Sequence, residues 1–403
     1  MTSPVFNPFD PAFRANPYPY YDALRMHDPV HTTEFGMVVL TRYEDVTTTL
    51  KSADFSRDIE KYSTQASSEA RQARRDRQES RTKSILNLDP PDHTRLRRIV
   101  SKSFTPSAME RLRPRIQQLV DNVLDRAQNT GSLELIDDLA FPVPFQVISE
   151  LLDMPTDRAD ELREWSQIIT NSLEPTATDD DLVRSEDAIA QLVPYLTLII
   201  EDRRKHLSDD MLSSLITAEE SGEQMTTEEL MAFVVLLYIA GHETTVNLIG
   251  NGTLALLKNP EQLAFIHNNS LTQSHIDELL RFDGPVQHTV RVPLVPVHYM
   301  VDNEQITVQP GTMVLTSLGG ANHDPSMFLY PNDLQLNRAN ANRHMAFASG
   351  IHYCLGASLA KLETQIAVGS LIKRFAHIEI DGEPSWRDRL TIRGVNQLRL
   401  SVS

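Results

Sequence analysis

Along the chain, apolar positions recur mostly with a helical period, and one stretch departs from it. Val30 to Thr41 reads as a strand pair around Gly36, and Tyr43 to Lys51 as a short helix. From His93 to Arg204 the pattern is mainly helical, with Leu112, Ile116, Leu119 and Val123, and again Leu192, Tyr195, Leu196 and Ile199, on single faces. Met225 to Leu257 predicts one very long helix. Thr226 and Glu229 fit a capping box at its start, and Asn259-Pro260 stops it. Residues 292–316 turn to strand-like alternation in His298–Val301, Gln305–Val308 and Met313–Ser317. A last helix begins just after Cys354, with Leu355, Leu359, Leu362 and Ile366 on one side. The reading is a mainly α chain with a smaller β-rich region. No Gly/Ser- or Pro-rich linker and no internal repeat divides it, so residues 1–403 are expected to form a single domain.

Charge and composition narrow the function. A net charge of −17 argues against phosphate-rich partners, so no nucleic acid is expected. The first thirty residues hold Pro breaks and no apolar signal core, and Met231–Gly241 is far shorter than the ~20 residues of a membrane span. A cytoplasmic protein without membrane attachment is expected. Residues 57–84 are highly polar, with Arg71, Arg74, Arg75, Arg77 and Arg81 among acids, and read as a solvated helix or loop rather than a binding patch. A single cysteine excludes an internal disulfide and a CxxC zinc site.

The surroundings of that cysteine are distinctive. In Phe347-Ala-Ser-Gly350-Ile-His352-Tyr-Cys354-Leu-Gly356, two glycines bracket Cys354 and let the backbone turn tightly against a flat cofactor. The entrance of the following helix favours a thiolate there. A nucleophilic cysteine would need a base and an orienting partner, and nothing local supplies both. On the long helix, Ala240-Gly241-His242-Glu243-Thr244-Thr245 interrupts an apolar run, and a Thr244 bond to the Ala240 carbonyl would bend the helix and open a groove. The metalloprotease reading of His242-Glu243 fails, because the second histidine would fall at Val246.

The cysteine segment matches, at every fixed position, the Phe-x-x-Gly-x-His-x-Cys-x-Gly heme-ligand signature of the cytochrome P450 family, and the chain resembles that family along nearly its whole length. The resemblance implies the P450 fold and heme b (iron protoporphyrin IX), with Cys354 as axial ligand and Ala240, Phe347, Gly350 and Gly356 at the cofactor. Such a thiolate pushes electron density to iron and favours O–O cleavage. By the same resemblance Thr244 would hydrogen-bond dioxygen at the iron and Glu243 would help deliver protons. His93 and Arg97, in Asp89-Pro-Pro-Asp-His93-Thr-Arg-Leu-Arg97, with Arg291 and His352, match positions that contact the heme propionates.

Glu278 and Arg281 match the family's Glu-x-x-Arg pair. The spacing alone says little, since Glu110/Arg113 and Glu201/Arg204 share it, but the order along the chain favours 278/281, with Arg338 as third partner and Asn337 where Asp is common. Their role is read as structural. No GxGxxG or P-loop lysine motif appears, so electrons are expected from a ferredoxin and its reductase, with Arg98, Lys102 and Lys361 as members of a basic docking patch or as ordinary solvated cations. Leu236, Ile239, Val286 and Gln287 are expected to wall a pocket for a small apolar substrate, with core packing the alternative for the two aliphatic residues of the helix. Segments 57–84 and 170–182 fall where the family has mobile lids. The expected activity of the monomer is monooxygenation with dioxygen. Desaturation or oxidative coupling in the same pocket, and a non-catalytic heme sensor, are the rival readings.

Overall fold

The computed structural model describes residues 6–62, 83–155, 158–174, 177–208, 210–220 and 225–403. Most of the polar 57–84 segment, including all five arginines named above, lies outside them, as do two residues of the 170–182 region. The chain is mainly α-helical with small sheets, and its contacts divide it into two units. The first comprises Met1–Tyr62, Met109–Val143 and Thr244–Ser403; the second comprises Ser63–Ala108 and Pro144–Glu243.

The first unit carries the sheets. Its largest has five strands in the spatial order Val30–Thr32, Val38–Leu40, Val314–Ser317, His288–Pro293 and Phe55–Ser56. Val38–Leu40 runs parallel to Val314–Ser317, and the other pairs are antiparallel. Gly36 takes φ +76° in the turn between the first two strands, a conformation glycine adopts without strain. Val297–Val301 and Glu304–Val308 form a hairpin whose two turn residues, Asp302 and Asn303, both have positive φ, as the twist of a two-residue hairpin turn requires. Helix Arg113–Thr130 buries Ile116, Val120, Val123, Leu124 and Ala127 and packs on helix Ala357–Arg374, which buries Leu359, Leu362, Ile366 and Leu371.

Among the described residues, helices alone make up the second unit's regular structure. Asp179–Lys205 is capped by a reciprocal Thr178/Asp181 box, opens on three aspartates and closes on Arg203, Arg204 and Lys205, in keeping with the helix dipole. It packs on Ala159–Asn171, where the Arg158 guanidinium lies 5.0 Å from the Trp165 ring and 5.1 Å from that of Tyr195.

The long helix runs Thr227–Leu257, with the division between units falling after Glu243. Thr226 and Glu229 make the expected box (2.9 and 3.2 Å), and Arg95 clamps Glu229 with two bonds of 2.5 and 3.0 Å. By length and composition this helix could cross a membrane, but 67% of its most apolar window is buried inside the protein. It continues without interruption through 240–245. Gly241 has a packing reason to lack a side chain, since a Cβ there would sit 3.1 Å from Ile148 Cδ1.

Candidate active site

The cysteine loop is built from tight turns. Ala348 has φ +56° and Gly350 φ +73°, and a Cβ on Gly350 would stand 2.4 Å from the Leu50 carbonyl oxygen, so only glycine fits. Gly350–His352 makes one 3-10 turn, closed by Tyr353 N–H donating to the Gly350 carbonyl at 3.1 Å. Cys354 N–H donates to the Phe347 carbonyl at 3.1 Å, which joins the two ends of the signature. Gly356 then caps helix Ala357–Arg374 without a side-chain acceptor, so the positive end of the helix is left unneutralised two residues from the sulfur.

These residues fit a planar group with a sulfur-bound metal. Cys354 is exposed, and a Cβ at Gly356 would meet nothing within 4 Å among the described residues. Phe347 and His352 are half-buried. Among the described residues no cluster of three His, Cys, Asp or Glu side chains could hold a metal.

On the long helix, Phe233, Val234, Leu237, Tyr238, Ile239, His242, Glu243 and Thr245 are buried, whereas Leu236 and Thr244 are half-buried and Ala240 is exposed. Leu236, Ala240 and Thr244 are spaced by four, so a buried helix opens along one stripe that ends on the threonine. Glu243 is 2% exposed. His242 bonds the Tyr238 carbonyl (2.8 Å) and packs edge-on to Phe145 and Tyr238.

The cationic residues are placed as follows. His93 is buried in helix Asp92–Val100 with Arg97 one turn on; burial first, and then the Arg97 charge, lower its pKa against the pull of Asp89. Arg291 is 3% exposed in its strand and donates to Thr289 Oγ1 (3.3 Å) and the Val290 carbonyl (2.8 Å). Gln287 is placed differently from expectation. It is 1% exposed, and its amide donates to the Gly284 carbonyl (2.8 Å) and the Tyr18 hydroxyl (3.3 Å) while its oxygen lies against Gly319, so its polar atoms serve the interior of the first unit. Val286 is half-buried against the core that includes Val314 and Leu318.

Glu278, Arg281 and Arg338 come together as expected. Arg281 grips the Glu278 carboxylate with bonds of 2.7 and 2.9 Å, Arg338 Nε reaches both oxygens at 3.0 and 3.1 Å, and Gln335 N–H adds a fourth donor at 2.9 Å. The remaining guanidinium hydrogens go to the carbonyls of Asn322, Leu329, Tyr330, Pro331 and Asp333, which pins the 322–338 segment. The two look-alike pairs differ: Glu110/Arg113 is exposed, and Arg204 bonds Glu219 at 2.6 Å more closely than Glu201 at 3.6 Å.

Two features went unnoticed in the sequence, the Asp277 carboxylate beside Lys361 and the burial of Glu363. Lys361 is not an uncompensated surface cation, for its ammonium lies 2.7 Å from Asp277, which also meets His344. Glu363 is fully buried, neither carboxyl oxygen has a hydrogen-bond partner among the described residues, and burial pushes its pKa well up. Its position beside Leu359, Leu362 and Ile366 on the apolar face was the available signal.

A glycine-bracketed cysteine loop, a half-buried threonine beside a buried glutamate on the long helix, and a buried Glu-Arg-Arg cluster are each features of a heme-thiolate oxygenase. The Cytochrome P450 family model matches residues 28–392, and the chain belongs to that family. It is 39% identical over 403 residues to Cytochrome P450 107B1 of Saccharopolyspora erythraea, covering 97% of this chain and 96% of that one. It is 36% identical to the Vitamin D(3) 25-hydroxylase of Pseudonocardia autotrophica, with 98% and 96% covered. Among solved structures, CYP164A2 of Mycobacterium smegmatis superposes with TM-score 0.87 at 37% identity, with 98% of both chains covered. The fold is thus the P450 fold, the cofactor is heme b and the activity is that of a P450 monooxygenase.

Proposed function

We propose that the chain holds heme b through the Cys354 thiolate and oxygenates a small apolar molecule. When bound, the heme supplies the iron at which dioxygen is cleaved, one oxygen atom entering a C–H or C=C bond and the other leaving as water. Phe347, Gly350 and Gly356 shape the thiolate loop, and Ala240 leaves the face of the long helix low enough for a flat group. Arg291, His352, His93 and Arg97 would supply the cations that two propionates require. The Thr244 hydroxyl holds a proton where oxygen is reduced, and the Glu243 carboxyl replenishes it. The open stripe on an otherwise buried helix is the observation that carries these roles.

Leu236, Ile239 and Val286 are the substrate-facing residues in this reading; Gln287 is withdrawn from that set because its amide is committed to Tyr18 and Gly284. Electrons come from a separate ferredoxin and reductase. Arg98 and Lys102, both exposed on the surface, are the cations read as facing an acidic donor, and the Lys361 charge is balanced by Asp277. Residues 1–403 are read as a single P450 domain, which the one continuous family match over 28–392 supports, and the protein as a cytoplasmic monomer.

Thr244→Ala tests the reading. General acid–base groups contribute about 10²–10⁴-fold to such steps. The product formed per electron pair is expected to fall at least tenfold while heme content stays at the wild-type level. Unchanged coupling would remove Thr244 from the chemistry.

A further inference from the structure

The cysteine loop is tied down by three side chains that the oxygen chemistry does not use. Asp277 projects from helix Gln273–Asp283, is 7% exposed, and with one oxygen, Oδ1, accepts both Nε2–H of His344 (3.2 Å) and the Lys361 ammonium (2.7 Å). The three residues come from three elements: the helix before the sheet, the approach to the cysteine loop, and the helix that follows Cys354. Burial alone would raise the Asp277 carboxyl, but the bonds from His344 and Lys361 outweigh it and hold it below the usual carboxylate range.

The other edge of the imidazole continues the line. His344 Nδ1 accepts the N–H of Ala346 at 3.1 Å, so the ring proton donated to Asp277 sits on Nε2. Ala346 precedes Phe347, whose carbonyl receives the Cys354 N–H. The His344 ring also packs 5.6 Å from that of Phe347, and Phe347 packs 6.1 Å from Tyr353, the neighbour of Cys354.

We propose that Asp277, acting through His344, is a positioning residue for the Cys354 loop, and that Lys361 balances the charge this arrangement presents to the iron ligand. The proposal rests on Cys354 being that ligand. A carboxylate that fixes the tautomer and orientation of an imidazole, which then fixes backbone beside a metal ligand, is an outer-shell arrangement of the kind that tunes metal sites. The two charged members act on the ligand with opposite sign, so their removal has opposite consequences.

The test uses the heme-loaded protein and reads the ferrous–carbon monoxide spectrum and the ferric-to-ferrous ratio at a fixed chemical poise, both independent of turnover. In His344→Ala, the share of the adduct lacking the thiolate signature is expected to rise at least threefold. His344→Gln restores it, because a glutamine amide can donate to Asp277 and accept from Ala346. Asp277→Asn leaves Lys361 uncompensated and favours the ferrous form. Lys361→Met leaves Asp277 uncompensated and favours the ferric form. Each shift is expected to be three- to tenfold in the ratio, tenfold being ~59 mV for a one-electron couple.

A folded His344→Ala protein with a wild-type adduct spectrum would overturn the proposal. So would shifts of the same direction in Asp277→Asn and Lys361→Met, since loop disorder alone moves both alike; this pair decides the matter if His344→Ala does not fold. A wild-type protein with no thiolate adduct would overturn the ligand assignment itself, which separates that failure from failure of the positioning role.

Discussion

Replacing Glu278 with Gln should expose how much of the fold hangs on one carboxylate. Glu278 and Arg281 are fully buried, Arg338 is 4% exposed, and the carboxylate takes bonds from both guanidiniums and the Gln335 amide. The cluster already holds two cations to one anion. A glutamine keeps the shape, but it removes the only negative charge and turns an amide N–H₂ toward guanidinium donors. Stranding buried charges in this way costs about 3–5 kcal/mol. An unfolding entropy of about 2.1 cal/mol/K per residue gives ~0.85 kcal/mol/K for the 403-residue chain. The expected fall in Tm is therefore about 4–6 °C. Arg338→Met should fall less, because it leaves the neutral Glu278–Arg281 pair intact and frees carbonyls near the surface. Thermal unfolding followed by far-ultraviolet circular dichroism reads all of this, with Glu110→Gln as the control of equal spacing and no burial, expected to leave Tm unchanged. A Glu278→Gln Tm within 1 °C of wild type, or a larger fall for Arg338→Met, would refute the reasoning.

Further expectations follow from the loop and from two buried histidines. Gly350→Ala places a Cβ 2.4 Å from Leu50 O at φ +73° and should abolish stable heme binding, whereas a Cβ at Gly356 clashes with nothing among the described residues. Gly356→Ala should accordingly lower heme content, read by pyridine hemochromogen absorbance, without lowering the Tm of the heme-free protein; intact heme content would show that the cofactor does not approach this glycine. His288 and His323 are held neutral by burial, with pKa values lowered to about 3 and about 4. Below about 6.5 the unfolded chain binds protons that the folded chain does not, so stability should rise with pH between about 4 and 6.5, by up to about 1.4 kcal/mol per pH unit for each histidine. Urea midpoints at pH 7, 6 and 5 check this, and His288→Gln should flatten the slope; a slope unchanged in that variant would show that His288 is not a source.

Most of the architecture was legible because its signals are local. The Thr226/Glu229 box, Asn259-Pro260, the Gly36 turn and the Tyr43–Lys51 helix all sit where the residues place them. The start of the strand at His288 was missed, since His288-Thr-Val-Arg shows little alternation and its pairing with Val314–Ser317 is set by partners far along the chain. Helix Arg113–Thr130 buries Val120 and Leu124 where the pattern pointed to Leu119, a rotation decided by packing on Ala357–Arg374. At the site, the cysteine loop and the Glu278 cluster carry spacing signatures. That the Gln287 amide turns toward Tyr18, just before the strand, carries no local signal. Asp277, His344 and Lys361 were unreadable as a group, for their meeting depends on three elements dispersed over 85 residues.

The central claim is that one sulfur, Cys354, ligates the heme iron as a thiolate. Purified heme-loaded protein, reduced and exposed to carbon monoxide, tests it most directly when set beside Cys354→His. The strongly red-shifted Soret band of a thiolate adduct is expected in the wild type, and its loss in the variant. A wild-type adduct with the band of a nitrogen-ligated heme, or a red-shifted band that survives the substitution, would contradict it.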